Sequence, residues 1–453
     1  DGTQELTNLQ RLKPTMSINE LPKYLKRAET ARKRGDINGV LHNLNKLNKK
    51  APPAELLYKA GTMLMEIKQF TKAISFLTKA TEKNSQSATI QYALGNAYYF
   101  NQEVESAATC YQQALSIDPK HAESLHNLGI INRDQGLREQ AITNFVAAVD
   151  SNPQYQQAYH NLFNELNLSG QTDLIIQYGL RAIEHLPQDH LSFWHLGNSY
   201  THKANFKEAI DCYQKSIQIN SKFLDAHSNL AIVLETTGNQ QQAIDHCKIV
   251  LKQVPNHLSA LKTMAACVEN PQESKGIYDK VLTLAPNDVT ATFNLATLLH
   301  RIGDFDAAIT YYIRTLELSP GVVEAYDNLS KLLSPEQFQR QYEQSILSLL
   351  EDNSVSDENK GHLYFSMARA FDKSDNYSEA LRCYTQANKL RRCENISERI
   401  SSSFYLKHIL EHYPLDYRPD LKMEEASHIP IFIIGMPRSG TTLMEQVLCT
   451  HDE

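Results

Sequence analysis

A chain of 453 residues with a formal net charge of −7 is long enough for more than one domain and too acidic for a protein that coats nucleic acid. The apolar run from Ile431 to Ile434 is far too short to span a bilayer, so we expect no membrane span. The 7 cysteines form no CxxC pair and no cysteine–histidine cluster at metal spacing, and no metal is predicted.

The cysteines are predicted to be packing residues. Cys110, Cys212 and Cys383 occupy one equivalent place in a repeated pattern, which is typical of small buried side chains. Cysteines that stay reduced predict a cytoplasmic protein. Because the chain begins at Asp1 without a methionine, a removed targeting segment is left open.

After an N-terminal segment, residues 1–19, the region 20–392 carries a pattern with a period of 34 residues. Pro119, Pro153 and Pro187 follow this period, and Pro255 lies two periods further on. Between the prolines one skeleton recurs, as in "YALGNAYY…ESAATCYQQALSIDP". A fixed period of this size indicates a stack of supersecondary units, none of which buries its apolar face alone.

The skeleton resembles the tetratricopeptide repeat. Within one unit the matching residues are Leu94, Gly95, Tyr98, Ala107, Tyr111, Ala114 and Pro119. The resemblance implies an all-α fold, a right-handed superhelix of about ten two-helix repeats. In each repeat a small residue lets the two helices approach closely, and the proline ends the second helix.

Two irregularities interrupt the array. The unit that ends at Pro286 is short, because Pro255 and Pro286 are 31 positions apart. Between residues 334 and 360 the frame is lost, and "SPEQFQRQYEQSILSLLEDNS" predicts a longer, non-standard helix. This segment is interpreted either as an insertion that changes the superhelix or contacts the next domain, or as a drifted repeat.

The first helix of each repeat is expected to line the concave face, where the sixth place of the repeat is usually asparagine. We call these six positions the ladder residues: Asn127, Asn161, His195, Asn229, Asn294 and Asn328. An asparagine side chain offers both a donor and an acceptor, which suits the backbone of an extended peptide. A similar ladder occurs in the repeat domain of O-linked N-acetylglucosamine transferase, and this resemblance implies a bound protein or peptide. The alternative is that asparagine is simply common at this place in the repeat family. Trp194 is predicted to be a packing residue.

Residues 393–428 are predicted to form a connector, and residues 429–453 begin a second domain. "HIPIFIIGM" predicts a buried parallel strand, and "TTLMEQVL" has helical spacing. The turn between them directs backbone amides and a helix N-terminus at one point, an arrangement that attracts an anion. Gly440 allows close approach, while Arg438 and neighbouring hydroxyls add donors.

The turn differs from the Walker loop of nucleotide-hydrolysing proteins. Gly435 and Gly440 have its spacing, but Thr441 stands where that loop has its lysine. The cation has moved upstream to Arg438. A nucleotide with fewer terminal charges and no required metal is therefore the predicted ligand.

"FIIGMPRSGTTLMEQVL" resembles the 5′-phosphosulfate loop of the sulfotransferase family, especially its protein-tyrosine-sulfotransferase-like branch. The resemblance implies an α/β P-loop-like domain that binds 3′-phosphoadenosine 5′-phosphosulfate, without a metal. The residues it assigns to this co-substrate are Pro437, Arg438, Ser439, Gly440, Thr441 and Thr442. Arg438 would also act in catalysis, by neutralising charge on the bridge between sulfate and phosphate.

Three functions are compatible with these features. The first is a sulfotransferase whose repeats recruit a protein or peptide, with tyrosine the favoured hydroxyl acceptor; bacterial proteins of this composition form a group that the chain resembles. The second is a non-catalytic interaction scaffold. The third is a glycosyltransferase, against which the loop argues. Because the sulfotransferase fold needs about two hundred residues, residues 429–453 alone are expected to be inactive.

Overall fold

The computed structural model of the chain describes the backbone of residues 21–394 and the side chains of residues 21–390. Within these limits the chain forms 22 α-helices and no strand. The all-α prediction is confirmed. The segment 1–19, the connector beyond residue 394 and the predicted loop at 429–453 lie outside the described residues. The chain divides into two compact units, Asp1–Ser319 and Pro320–Glu453.

The described part of the first unit contains these helices: α1 (Leu21–Lys33), α2 (Ile37–Asn48), α3 (Ala54–Glu66), α4 (Phe70–Lys83), α5 (Ala88–Phe100), α6 (Val104–Ile117), α7 (Ala122–Asp134), α8 (Arg138–Ser151), α9 (Gln156–Leu168), α10 (Thr172–His185), α11 (His190–His202), α12 (Phe206–Ile219), α13 (Leu224–Thr236), α14 (Gln240–Gln253), α15 (Leu258–Cys267), α16 (Pro271–Leu284), α17 (Val289–Arg301) and α18 (Phe305–Leu318). Helices that follow one another in sequence also pack together, as α5 does with α6 and α6 with α7. First helices of successive pairs contact each other as well, for example α9 with α11 and α11 with α13. This order of contacts is that of a repeat solenoid.

Close packing inside each pair depends on the predicted Leu-Gly motif. A Cβ atom at Gly95 would lie 2.6 Å from Cε1 of Tyr111, and one at Gly197 would lie 2.7 Å from Cε1 of Tyr213. Real Cβ atoms essentially never lie this close to a non-bonded heavy atom. Only glycine therefore lets α5 approach α6, and α11 approach α12, at this distance.

The five cysteines whose side chains the structure describes are buried, as predicted for Cys110, Cys212 and Cys383. Cys110 is 6% exposed and Cys383 is 2% exposed. Burial raises the pKa of the Cys110 thiol to about 11 and that of Cys212 to about 12. These thiols are therefore protonated at neutral pH and behave as small apolar packing groups.

The short repeat has lost its residues from the end of its first helix. Helix α15 has 10 residues, whereas α13 and α17 have 13. Asn270 then caps α16 through its side chain, and Pro271 occupies the first turn. The missing helical turn leaves a cavity of about 210 Å³, lined by residues of α13, α15, α16 and α17.

The described part of the second unit contains α19 (Val323–Leu332), α20 (Pro335–Glu351), α21 (Asp357–Lys373) and α22 (Tyr377–Glu394). Helix α20 has 17 residues, which confirms the longer helix predicted for the irregular segment. Arg369 of α21 donates to the carboxylate of Asp327 at 3.0 Å, and Lys373 donates to the carbonyl of Lys331 at 3.1 Å. These bonds hold α21 against α19.

Among the described helices, none is long and apolar enough to cross a membrane.

Candidate peptide-binding face

Every ladder residue is the sixth residue of its helix. Asn127, Asn161, His195, Asn229 and Asn294 occupy this place in α7, α9, α11, α13 and α17 of the first unit, and Asn328 does so in α19 of the second. We call the surface formed by α5, α7, α9, α11, α13 and α17 the first-helix face. The asparagines on it are half-buried, whereas His195 is 5% exposed.

Asn127 takes part in a three-residue hydrogen-bonded cluster that joins two repeats. Tyr111 donates its hydroxyl to Oδ1 of Asn96 at 2.7 Å, and Nδ2 of Asn127 donates to the same oxygen at 2.8 Å. Nδ2 of Asn127 also lies 3.2 Å from the Tyr111 hydroxyl. We call this cluster, Asn96, Tyr111 and Asn127, the first amide bracket.

Asn229 belongs to a second cluster of identical composition, three 34-residue repeats later in the sequence. Tyr213 donates to Oδ1 of Asn198 at 2.7 Å, and Nδ2 of Asn229 donates to that oxygen at 2.8 Å. We call Asn198, Tyr213 and Asn229 the second amide bracket. Burial raises the pKa of Tyr213 to about 12, although hydrogen bonds from Thr201 and Asn229 lower it. The phenol therefore keeps the proton that it donates.

The bonds within a bracket determine how its amides are oriented. In the second bracket, Oδ1 of Asn198 accepts twice, so the Nδ2 group of Asn198 is the end of that amide left for a ligand. It donates to no described residue, and Oδ1 of Asn229 accepts from none. One free amide donor and one free amide acceptor, side by side, complement the carbonyl and N–H of a peptide backbone.

Asn161 makes a different contact. Its Nδ2 lies 2.8 Å from Nε2 of His126, whose Nδ1 lies 3.1 Å from the Tyr155 hydroxyl. Burial lowers the pKa of His126. A neutral imidazole that accepts from Asn161 carries its proton on Nδ1, where the Tyr155 hydroxyl and, at 3.3 Å, Oδ1 of Asn127 are the acceptors. The amide donor of Asn161 thus points to the preceding repeat.

His195 lies in the core between neighbouring rings. Its ring centroid is 5.2 Å from that of Phe163 and 4.8 Å from that of Trp194, and Nδ1 accepts from Asn167 at 3.1 Å. Burial lowers the pKa of His195 to about 4, so the imidazole is neutral at physiological pH. The structure places this ladder residue among packing side chains instead of on the surface.

A buried carboxylate adjoins the same repeats and was not identified from the sequence. Asp189 accepts from His160 at 2.8 Å, from Gln156 at 2.9 Å and from the backbone N–H of Ser192 at 3.2 Å. Burial alone raises the pKa of Asp189, but the bonds from His160 and Ser192 outweigh it and hold that pKa below its usual range. As N-cap of α11, Asp189 fixes the helix that carries Trp194 and Asn198.

Asn294 forms part of an incomplete bracket at the short repeat. It bonds the hydroxyl of Tyr278, but the residue that would complete the bracket is Ala266. Asn294 lines the cavity left by the missing turn, together with Glu235 and Arg301. Asn328, in the second unit, accepts a long hydrogen bond of 3.5 Å from Lys331.

The second bracket opens into a larger cavity. Its volume is about 450 Å³, and its lining residues are Asn167, Trp194, Asn198, Thr201, His202, Tyr213, Asn229 and Ile232. We call it the Trp194 cavity. Trp194 packs against His195 and Phe223, with ring centroids 4.8 and 5.7 Å away, as a packing residue does, but it also borders this open space.

The predicted nucleotide loop cannot be described in the same way. Its residues, Pro437, Arg438, Ser439, Gly440, Thr441 and Thr442, lie outside the described part of the chain. The residues described contain no group of three or more histidine, cysteine, aspartate or glutamate side chains that could hold a metal ion.

Comparison with known proteins bears on both regions. Tetratricopeptide-repeat profiles match residues 88–121, 110–143, 182–238 and 291–324, so the chain contains tetratricopeptide repeats. The profile of the sulfotransferase family matches residues 430–453. That match covers the predicted phosphosulfate loop.

Several relatives are similar to part of the chain. Human protein O-mannosyl-transferase TMTC3 is 23% identical over 222 residues, covering 47% of this chain and 24% of that protein. The probable UDP-N-acetylglucosamine–peptide N-acetylglucosaminyltransferase SPINDLY of Hordeum vulgare is 24% identical over 163 residues, covering 34% of this chain and 17% of its own length. The chain thus spans a quarter or less of these two relatives. The structure of YrrB, described as a tetratricopeptide-repeat protein with an unusual peptide-binding site, aligns with 22% identity and a TM-score of 0.37, covering 41% of this chain and 95% of YrrB.

Proposed function

We propose that this chain is part of a sulfotransferase that transfers a sulfuryl group from 3′-phosphoadenosine 5′-phosphosulfate to a hydroxyl group, and that its repeats hold the protein or peptide carrying that hydroxyl. The observation that carries the binding part is the pair of amide brackets. The transferase part is supported by the match of the sulfotransferase profile to residues 430–453. Two relatives named as transferases, one of them acting on peptide, are consistent with it.

The brackets suit a ligand recognised by its backbone. Each presents neutral amide groups that are already oriented by a buried tyrosine, so little side-chain entropy is lost on binding. One neutral hydrogen bond contributes about 0.5–1.5 kcal/mol net. Micromolar affinity requires about 8 kcal/mol. Several positions along the first-helix face must therefore act together, which is what a ladder provides.

The loop residues have the chemistry that sulfuryl transfer demands. During transfer the bond from sulfur to the bridging phosphate oxygen breaks as the acceptor oxygen bonds to sulfur, and the acceptor loses its proton. Negative charge develops on the departing bisphosphate. Arg438 is assigned to neutralise it, and Ser439, Gly440, Thr441 and Thr442 to hold the 5′-phosphate through hydroxyl and backbone donors. A tyrosine of the captured protein is the favoured acceptor.

Peptide capture is tested by removing the brackets as a group. The test variant replaces Asn96, Asn127, Asn198 and Asn229 with alanine, and the matched control replaces Asn144, Asn152, Asn205 and Asn287, which lie outside the brackets. The probe is an acetylated, amidated dodecapeptide of glycine, serine and alanine, titrated by calorimetry. We expect the test variant to bind at least about tenfold more weakly, with helical content unchanged. Equal affinity in both variants overturns peptide capture.

The transferase assignment is tested at the loop. Calorimetry of the full-length protein with 3′-phosphoadenosine 5′-phosphate should show much weaker binding for Arg438→Ala, because a charged bidentate contact is lost. Arg438→Lys, which retains the charge without the planar fork, should fall between the two. Equal affinities in the wild type and Arg438→Ala overturn the assignment.

A non-catalytic scaffold is the second candidate, and it is supported by the matches of tetratricopeptide-repeat profiles to residues 88–121 and 182–238. The two candidates make opposite predictions in the loop experiment. A scaffold retains bracket-dependent peptide binding and shows no binding of the bisphosphate in any loop variant.

A further inference from the structure

The Trp194 cavity, at about 450 Å³, is larger than the cavity of about 210 Å³ at the short repeat. Its volume lies within the range of small-molecule pockets, about 300–1,000 Å³. It adjoins the free Nδ2 of Asn198 and the free Oδ1 of Asn229. A peptide group bound at the second bracket therefore has an open space beside it that is large enough for a bulky side chain.

Two of the residues that line the cavity are apolar. Trp194 presents its indole ring, and Ile232, on the next first helix, is 37% exposed. The indole is held edge-on against His195 and Phe223 at interplanar angles of 67° and 70°. A ring that is already locked by its neighbours loses little entropy when a ligand packs on it.

The cavity lining contains no aspartate, glutamate, lysine or arginine. A lysine or arginine side chain of the ligand would therefore leave water without a carboxylate in the lining to pair with it, which is unfavourable. The polar lining groups are amides, a hydroxyl, a phenol and an imidazole, and the amides are suited to the ligand backbone. The lining thus disfavours a cationic ligand side chain, while Trp194 and Ile232 provide apolar contact surface.

The first bracket has other surroundings at the same places. Tyr92 occupies the position in α5 that Trp194 occupies in α11, and its ring packs on Tyr111 of the bracket at 5.9 Å and on His121 at 5.1 Å. Around the second bracket, the ring of Trp194 packs on His195 and Phe223. Tyr213, the bracket tyrosine, borders the cavity. Ile130 is the first-bracket counterpart of Ile232.

We propose that the Trp194 cavity binds one aromatic or large aliphatic side chain of the captured peptide, between Trp194 and Ile232, and so sets which residue of the peptide lies at the second bracket. This inference rests on peptide capture as the proposed function. The substrate class is an extended segment with a bulky apolar residue and no positive charge at that position.

Trp194 is the only tryptophan in the chain, so its fluorescence reports directly on the cavity. The probes are N-acetyl-phenylalaninamide and N-acetyl-leucinamide, with N-acetyl-glycinamide and N-acetyl-lysinamide as controls. The first two should change Trp194 emission saturably, and the last two should not. Equal responses to the phenylalanine and glycine amides would overturn the inference.

A matched pair of variants then separates the cavity from the bracket. Dodecapeptides of glycine, serine and alanine with one central phenylalanine should bind the wild type at least about fivefold more tightly than the all-small peptide. Ile232→Ala should remove this preference, while Ile130→Ala at the first bracket should keep it. If the preference for phenylalanine persists in Ile232→Ala, the proposed binding of a side chain in the Trp194 cavity is wrong.

The two proposals fail in different ways. If the all-small peptide binds through the brackets but phenylalanine adds nothing, capture stands and the cavity assignment falls. If the phenylalanine amide binds at Trp194 but no peptide depends on the bracket asparagines, peptide capture is wrong. The cavity is then a small-ligand site and not a subsite for a peptide side chain.

Discussion

The two amide brackets repeat the same three residues with the same bonds, yet they sit in different environments. In both, a buried tyrosine donates at 2.7 Å to an asparagine at the ninth place of one helix, and the next asparagine donates to that oxygen at 2.8 Å. Around the first, Tyr92 packs onto the bracket tyrosine; around the second, Trp194 borders a cavity. A repeat array thus reproduces the same hydrogen-bonded cluster, while the side chains around each copy differ.

The largest effect is expected from removing a bracket tyrosine. Tyr213→Ala should destabilise the array by about 3–5 kcal/mol, because a fully buried ring is lost from a close-packed pair of helices. Denaturation followed by Trp194 fluorescence measures this at the second bracket. Tyr111→Ala is the matched change: a loss of the same size there means the two brackets are equivalent in packing, and a much smaller one would contradict their structural equivalence.

Lowering the pH should reduce the stability of the repeat that contains the second bracket more than that of the repeat that contains the first, because of His195. Its pKa of about 4 in the folded state lies below the ordinary value of 6.5, so its contribution to stability is full above pH 6.5 and is lost as pH falls towards 4. The loss amounts to about 3 kcal/mol by pH 4. Unfolding free energies across this range measure it.

The control for this pH dependence is His195→Asn, which restores the residue that the ladder has elsewhere. This variant should show a clearly flatter stability profile between pH 6.5 and 4. An unchanged profile would show that other groups, such as His126, carry the acid sensitivity.

Adding a methyl group at the contact between paired helices should reduce stability by an intermediate amount. In Gly197→Ala the new methyl group would lie 2.7 Å from the Tyr213 ring, so the ring or the helix must shift, at a cost of about 1–3 kcal/mol. Gly276→Ala is a suitable control, since nothing lies within 4 Å of a Cβ there. Calorimetric or denaturant unfolding distinguishes them, and equal stabilities would refute the packing role of the Leu-Gly motif.

The smallest stability change is expected from Tyr213→Phe. It removes one hydrogen bond and costs about 0.5–1.5 kcal/mol. Peptide binding should nevertheless weaken, because Asn198 loses one of the two donors that orient its amide. Affinity for the dodecapeptide measures this, with Tyr312→Phe, whose hydroxyl bonds Thr297 outside the brackets, as the control.

Much of the fold could be predicted because a helical repeat is a local pattern. The 34-residue period located the helix pairs, the prolines marked their ends, and the three missing residues located the shortened α15. The ladder positions were also predictable, since each is the sixth residue of its helix. Their proposed role in peptide binding stays a prediction.

The brackets were not predicted, because each needs residues from two repeats. A ninth-place asparagine, a tyrosine fifteen positions later and a sixth-place asparagine in the next repeat occur together twice. At α7 and α8 the corresponding places hold Ile130 and Phe145, which cannot form the bonds, and Asn161 turns to His126 instead. Searching for all three residues together would have found both brackets.

By itself the sequence determined the properties that depend on neighbours along the chain: helix pairs, their ends, the length of each repeat, and the donor chemistry of the predicted loop at residues 437–442. The tertiary structure decided which amides face each other across repeats, that His195 is buried and neutral, and that Trp194 borders a cavity. The reason is physical. Hydrogen bonding and packing between stacked helices depend on distances that only the assembled array establishes, and the same asparagine has a different role according to the side chain that the neighbouring repeat places opposite it.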